Sequence, residues 1–362
     1  MTKKNKRIIA IHLPQFHPFK ENNEWWGKGF TEWTNVAQAR PRYRGHYQPH
    51  IPADLGFYDL RLEETRIAQA DLAREYGIHG FCYYHYWFNG KLLMERPLEE
   101  ILKSKKPDFP FMICWANENW TRIWDGKNRN VLMEQNYNEQ DDLVHIQYLM
   151  PFLKDERYIK IDNKPVIAIY KSYLIPDPNK MIETWQNEAK KHGIELYIIK
   201  FEVDKQSGKE KLLDFNAAAE FQPFCYNGYK YALFRRAINK GFELLGLDTY
   251  LPTHINYQEY VNHQIKKQCN TDYKRFPSVT PMWDNSPRRK GKAYISFKKS
   301  TPDLYKKWLS NVLKKFIPYS EEENLVFINA WNEWAEGNHL EPDLKYGRQY
   351  LEATKDAINK NK

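Results

Sequence analysis

Two glutamates three residues apart, Glu333 and Glu336, stand in the segment AWNEWAEGNHLEPD, interleaved with Trp331, Asn332 and Trp334. If the chain turns into a helix there, an i, i+3 pair shares one face with Cβ atoms about 5–6 Å apart. Glycosidic bonds are cleaved by two carboxyl groups flanking the anomeric carbon, and configuration-retaining enzymes keep them about 5–5.5 Å apart. Two like charges that close also push one pKa upward, which separates an acid from a base. Taken alone, an E-x-x-E pair reads equally as a solvated helix face. The surrounding tryptophans and the apolar run Leu325–Trp331 before it favour a catalytic pair.

A second cluster, CWANENW, carries Asn117 and Glu118. An Asn–Glu pair closing a strand suits an acid/base, but in enzymes that use it so it follows the fourth strand. Here the count puts it after the third, so Glu118 reads as a group that orients substrate. Asp284 in PMWDNSP is a similar candidate, with an Asx-turn before Pro287 as the alternative.

His12 and Gln15 in HLPQFHP, with His17, His46 and His50, raise the question of a metal. His46 and His50 have H-x-x-x-H spacing, but Pro49 argues against the helix that would align them. No H-E-x-x-H occurs, so hydrogen bonding to sugar hydroxyls or a structural role is the reading, and no metal or cofactor is expected. G-x-S-x-G, P-loop and D-x-D sequences are all missing, which weighs against nucleotide cradling and a metal-dependent sugar-nucleotide transferase.

Ten of the twelve tryptophans fall at the ends of apolar runs or just after them: Trp25, Trp26, Trp33, Trp87, Trp115, Trp120, Trp124, Trp283, Trp331 and Trp334. The run YYHYWFNG adds Tyr83, Tyr84, His85 and Tyr86. Flat aromatic faces match the C–H faces of sugars, and polar neighbours bind their hydroxyls. Trp26, Tyr84, Tyr86, Trp115 and Trp283 are therefore expected to line one cleft with His12, Gln15, Asn117 and Asp284. His85 and Asn332 are further expected sugar contacts.

The elements that must position these residues are eight short apolar runs: Arg7–Leu13, Gly80–Phe88, Phe109–Ala116, Pro165–Tyr170, Glu195–Phe201, Ala217–Phe224, Ser278–Trp283 and Leu325–Trp331. Their continuous hydrophobicity suits parallel strands covered on both faces. Amphipathic helical patterns alternate with them, and a closing helix is expected from about Leu344 to Ile358. Eight β–α units predict a (β/α)8 TIM barrel, as a single domain over residues 1–362. The sixth run could equally be a helix end. Long connections follow strand one (Pro14–Asp59) and strand six (Cys225–Ile255), on the face where barrel active sites lie.

The net charge of +9 comes from lysines spread over chain ends and helical segments, with no nucleic-acid motif. Cys82, Cys114, Cys225 and Cys269 show no metal or redox spacing and read as thiols of a reducing compartment. The N-terminal apolar run stops at Leu13 and Pro14, too short for a signal peptide, and no run approaches a membrane span, so a cytoplasmic protein is expected. Oligomeric state is not legible.

Together HLPQFHPFKENNEWWGKGFTEWTNV, GFCYYHYWF, CWANENWTRIWDG and NAWNEWAEGNHLEPD resemble the WbsX-type proteins of bacterial surface-polysaccharide (O-antigen, lipopolysaccharide, capsule) gene clusters. That family is similar in turn to glycoside hydrolase family 99, the endo-α-mannosidases and endomannanases. The resemblance implies a retaining glycosidase or transglycosidase on α-mannoside- or α-rhamnoside-type linkages of a polysaccharide. Glu333 would then be the base on the sugar 2-hydroxyl, giving a 1,2-anhydro sugar, and Glu336 the acid. The alternative is a metal-independent glycosyltransferase. An axial 2-hydroxyl is required by the first reading only.

Overall fold

A computed structural model describes residues 6–121, 131–203, 212, 214–223, 232–247, 250–267, 271–289 and 294–361. Trp124, Cys225 and Cys269 lie outside the described residues, as does Phe224 at the end of the sixth expected strand. The apolar runs become nine parallel strands. They are β1 (Arg7–His12), β2 (Gly80–Phe88), β3 (Phe111–Trp115), β4 (Lys164–Ile169), β5 (Tyr197–Glu202), β6 (Ala217–Glu220), β7 (Arg275–Phe276), β8 (Ser278–Val279) and β9 (Leu325–Ile328). Their order is β7-β6-β5-β4-β3-β2-β1-β9-β8, a nearly closed barrel. Residues 8–11 of β1, all of β3 and all of β9 are at most 1% exposed, as burial on both faces requires.

The seventh expected strand, Ser278–Trp283, departs most from expectation. Only its first two residues form a strand, β8, which pairs with β9, while β7 lies ahead of the expected start across Pro277 and pairs with β6. Proline has no N–H to give a ladder, so the regular pairing is interrupted where the ring meets itself. Side chains bridge the seam. Glu220 of β6 accepts from the Ser278 N–H at 3.4 Å and pairs with Arg275 at 3.2 Å.

The sixth run is a strand rather than a helix end, shortened to Ala217–Glu220, and the last helix begins at Gln349 rather than near Leu344. Cys82 and Cys114 are buried free thiols on adjacent strands. The long segment after β1 holds two short helices, Lys20–Trp26 and Glu32–Gln38. Among the described residues no helix is long and apolar enough to cross a membrane.

Candidate active site

Past the rim of the barrel the chain after β9 takes a helical turn only briefly, inside a hairpin. Asn332–Glu333 pairs antiparallel with Asn338–His339, and Trp334–Glu336 makes one 3-10 turn between them. Gly337 makes this hairpin possible. Its φ is +52°, and a Cβ there would stand 3.0 Å from Asp284 Cβ and 3.1 Å from the Asp284 carbonyl oxygen. Polar bonds fix the hairpin to its surroundings. Leu13 N–H donates to Asn332 Oδ1 at 2.7 Å, Asn332 Nδ2 donates to the Leu13 carbonyl at 3.0 Å, and Asp284 N–H donates to the Glu336 carbonyl at 2.6 Å.

Both glutamates meet one cation, Arg288, in the short turn Ser286–Arg288. Its Nη2 donates to Glu333 Oε2 at 2.7 Å, and its Nη1 pairs with Glu336 Oε1 at 2.7 Å. The same guanidinium reaches Glu32 Oε2 at 3.1 Å through Nη2. Glu32 opens the helix Glu32–Gln38, whose first turn is set by a capping box between Thr31 and Thr34.

Three carboxylates thus share one guanidinium. The Glu32 side chain is fully buried, that of Glu333 is 7% exposed and that of Glu336 20% exposed. Burial pushes the Glu333 carboxyl up to about 8; Arg288 opposes the shift, while Glu336 and Glu32 add to it. Burial raises Glu32 too, again against the pull of Arg288. A group of this kind titrates as a unit and keeps a proton near neutrality, so one carboxyl can give a proton while its neighbour accepts one.

Glu333 and Glu336 open onto a cleft of about 640 Å³, within the range of small-ligand sites. Tyr84 and Tyr86 form one wall, 6.2 Å apart between ring centroids, and Tyr170 meets Tyr84 edge-on at 6.0 Å. Trp120 stands edge-on to Tyr86 at 5.3 Å and stacks on Trp25 at 6.2 Å. Gln15 also lines the cleft, and its buried Nε2 has no hydrogen-bond partner among the described residues, so a donor stands ready for a ligand. Glu118 lies at the cleft too, paired with Lys171.

The structure therefore brings together Glu333, Glu336, Gln15, Tyr84, Tyr86 and Glu118. The other expected contacts do not line this cleft. His12 is buried between Phe81 and Tyr83, bonds Gln69 at 3.2 Å, and burial lowers its pKa to about 3. Burial lowers His85 to about 3 as well; it turns outward to His145, with Nε2 atoms 2.9 Å apart. Trp115 packs in the core against His145 and Trp185.

Asn117 and Asn332 act as backbone clamps. Asn117 Nδ2 donates to the Lys171 carbonyl and its Oδ1 accepts the Lys171 N–H, both at 2.8 Å. Asn332 does the same for Leu13. Trp26 packs on Phe30, away from the cleft. Trp283 and Asp284 line a second cavity of about 350 Å³. Asp284 makes the Asx-turn to Ser286 N–H, while its other oxygen binds His46 at 2.6 Å and Gln48 at 2.7 Å. The H-x-x-x-H pair does not form, since His46 goes to Asp284 and His50 goes to His339.

Arg288 and Glu32 escaped the sequence reading. Arg288 opens the basic run RRK, which matches no motif, and Glu32 lies in a long connection. One signal was available: two close glutamates among aromatic residues call for a cation, and an Arg follows Asp284 by four residues.

A family model described as Glycosyltransferase WbsX matches residues 8–354. Two proteins of Xanthomonas campestris pv. campestris, described as uncharacterized protein WxcX, are 38% and 37% identical over 354 residues, which cover 98% of this chain and 50% of theirs. The chain spans about half the length of these curated relatives. Among solved structures, a glycoside hydrolase-like protein superposes with a TM-score of 0.60 at 14% identity, covering 99% of this chain and 95% of that one. The GH99 endo-α-mannosidase of Bacteroides thetaiotaomicron in complex with bis-tris-propane gives 0.58 at 14% identity, covering 98% and 97%. At these identities the likeness to solved structures is one of fold.

Proposed function

The chain belongs to the WbsX family, and from that premise we propose that it is a retaining glycosidase or transglycosidase acting on α-mannoside- or α-rhamnoside-type linkages of a bacterial surface polysaccharide. One observation carries the reading. A single, mostly buried guanidinium grips Glu333 and Glu336, and both carboxyls face a cleft walled by aromatic rings.

In the reaction proposed, the sugar 2-hydroxyl donates to Glu333. That hydrogen bond favours the ionised form of Glu333 and leaves the pair's proton on Glu336. O2 then attacks C1, its proton passes to Glu333, the glycosidic C1–O bond breaks, and Glu336 protonates the departing oxygen. In the second half Glu336 takes a proton from water or an acceptor hydroxyl, whose oxygen opens the 1,2-anhydro ring at C1, and O2 recovers its proton from Glu333. Two inversions return the original configuration. The pair carries one proton throughout, in keeping with the raised proton affinity of Glu333. Arg288 keeps both carboxyls in place and disperses the charge that moves between them. Tyr84, Tyr86 and Trp120 supply faces for the sugar ring, and Gln15 a donor for a hydroxyl.

The test is purified protein on α-mannoside and α-rhamnoside oligosaccharides, with NMR of the first-formed anomer. Release of the α anomer is expected; first-formed β anomer overturns retention. The family's description as a glycosyltransferase favours a second reading, a metal-independent transfer from an activated sugar in O-antigen or capsule assembly. Turnover with nucleotide-sugar donors and none with oligosaccharides selects it.

A further inference from the structure

His339 follows the turn that carries Glu333 and Glu336, and its ring is tightly fixed. It stacks on Trp334 with centroids 3.8 Å apart and 15° between planes. Its Nδ1 lies 2.8 Å from the carbonyl oxygen of Glu341. A carbonyl only accepts, so Nδ1 carries the ring proton and Nε2 presents a lone pair. Binding the spare N–H to a carbonyl is also how metal-ligating histidines are oriented.

That lone pair faces His50 Nδ1 at 2.9 Å and Asp343 Oδ2 at 3.8 Å. The two oxygens of Asp343 differ. Oδ1 accepts the N–H groups of Lys345 and Tyr346 at 2.9 and 2.6 Å, whereas Oδ2 is buried with no hydrogen-bond partner among the described residues. His50, His339 and Asp343 are all buried. Lys345, the nearest cation in sequence, lies over the rings of Tyr47 and Tyr346 at 4.4 and 4.7 Å and makes no ion pair with Asp343 among the described residues. A carboxylate oxygen buried beside the His339 lone pair is costly unless a cation or a donor faces it.

We propose that His50 Nδ1, His339 Nε2 and Asp343 Oδ2 bind one divalent transition-metal ion of the zinc type. The three atoms are 2.9, 3.8 and at most 4.8 Å apart. Points so spaced share a centre about 1.9–2.4 Å from each, which brackets the ~2.0–2.2 Å of zinc bonds to imidazole nitrogen and carboxylate oxygen. Two nitrogens and one oxygen suit zinc, cobalt or nickel better than the all-oxygen preference of magnesium or calcium. Tyr47, stacked on His50 at 4.1 Å, has its hydroxyl beside Asp343, whose charge helps burial to raise the phenol.

The ion takes no part in the sugar chemistry. It clips the long segment after β1 to the segment after β9, where the backbones already meet. Leu344 N–H donates to the Ile51 carbonyl and Ala53 N–H to the Pro342 carbonyl, both at 2.9 Å. Its task is to hold the hairpin of Glu333 and Glu336 against that loop.

The test uses the full chain without an oligohistidine tag. Elemental analysis after gel filtration should find about one equivalent of zinc or a similar ion per chain. Chelator-treated protein should take up Zn²⁺ at one site by calorimetry, with a rise in melting temperature, and Co²⁺ should give visible d–d bands. His50→Ala and Asp343→Asn should weaken Zn²⁺ binding by at least about 100-fold. Should either variant fail to fold, the wild-type titration and cobalt spectrum decide alone. Wild-type protein that neither contains nor takes up Zn²⁺ or Co²⁺ overturns the proposal, leaving a neutral imidazole–imidazole hydrogen bond. Equal binding in wild type and both folded variants overturns it too, as adventitious surface uptake.

Discussion

Tyr84 and His85 are adjacent in β2, and so are Tyr86 and Trp87, yet each pair splits between two environments. Tyr84 and Tyr86 face the cleft near Glu333, whose charge helps burial to raise both phenols. His85 and Trp87 face the helix Glu139–Leu153, where His145 lies parallel to Trp87 at 4.7 Å and Asp141 accepts from its indole N–H at 3.0 Å. Side chains alternate across a strand, so parity alone divides chemically similar residues between ligand and core. Composition draws the eye to the aromatic cluster; the period of two decides which half of it can touch a sugar.

The contrast breaks most sharply at the carboxylates. Glu333→Gln should lower kcat/KM by about 10⁴-fold on activated and unactivated glycosides alike, at the top of the usual acid–base contribution, without lowering the melting temperature. Glu336→Gln should be as severe for a poor leaving group and much milder for an aryl glycoside. Full activity in both variants would remove the pair from the chemistry.

On the core side, Trp115→Ala should cost about 3–5 kcal/mol of stability in denaturant titration, with kcat per folded molecule unchanged. A fall in kcat at low temperature, with the fold intact, would erase the distinction between the two sides.

The pH profile sharpens it further. The active pair holds one proton, so kcat/KM should fall as pH rises past about 8, where the last proton leaves the Glu333 group. Stability carries the same sign. A carboxyl whose folded pKa is raised binds its proton more tightly than the unfolded chain does. The stability it contributes is complete below the ordinary glutamate value of 4.5 and is lost as pH climbs to about 8. Glu333→Gln should flatten that decline in melting temperature. Arg288→Gln removes a cation and should move the alkaline limb to higher pH; a limb that stays put would separate Arg288 from the titrating group.

The smallest effect belongs to single hydroxyls. Tyr86→Phe should raise KM by a factor of about 5, near 1 kcal/mol for one hydrogen bond, with kcat and melting temperature little changed. No change in KM would make the Tyr86 contribution one of ring contact alone.

Much of the barrel was legible because both-sided burial writes itself as unbroken apolar sequence: Gly80–Phe88 was read with the bounds it has. The seventh strand was not, since Pro277 divides it into pieces too short for any periodicity to register. The position of Glu333 and Glu336 was legible from their place after the last run. Their local geometry was not, because the hairpin depends on Gly337 meeting Asp284, fifty-three positions away in the chain. His12, His85 and Trp115 stand near strand ends but face the surrounding helices, and nearness to an end does not reveal the face. Arg288 and Glu32 are brought together by segments with no pattern of their own, and only tertiary structure reveals such a pairing.

The interruption at Pro277 has a dynamic consequence. A ring opens where its ladder is thinnest, so the amides around the seam between β6 and β9 should exchange with solvent sooner than those of β1 to β4. β9 forms one side of that seam, and the catalytic hairpin is its direct continuation. A site mounted on the flank most prone to breathing needs moorings elsewhere. The two bonds between Asn332 and Leu13, just past β1, supply them. Momentary parting at the seam can then leave the two carboxyls in register.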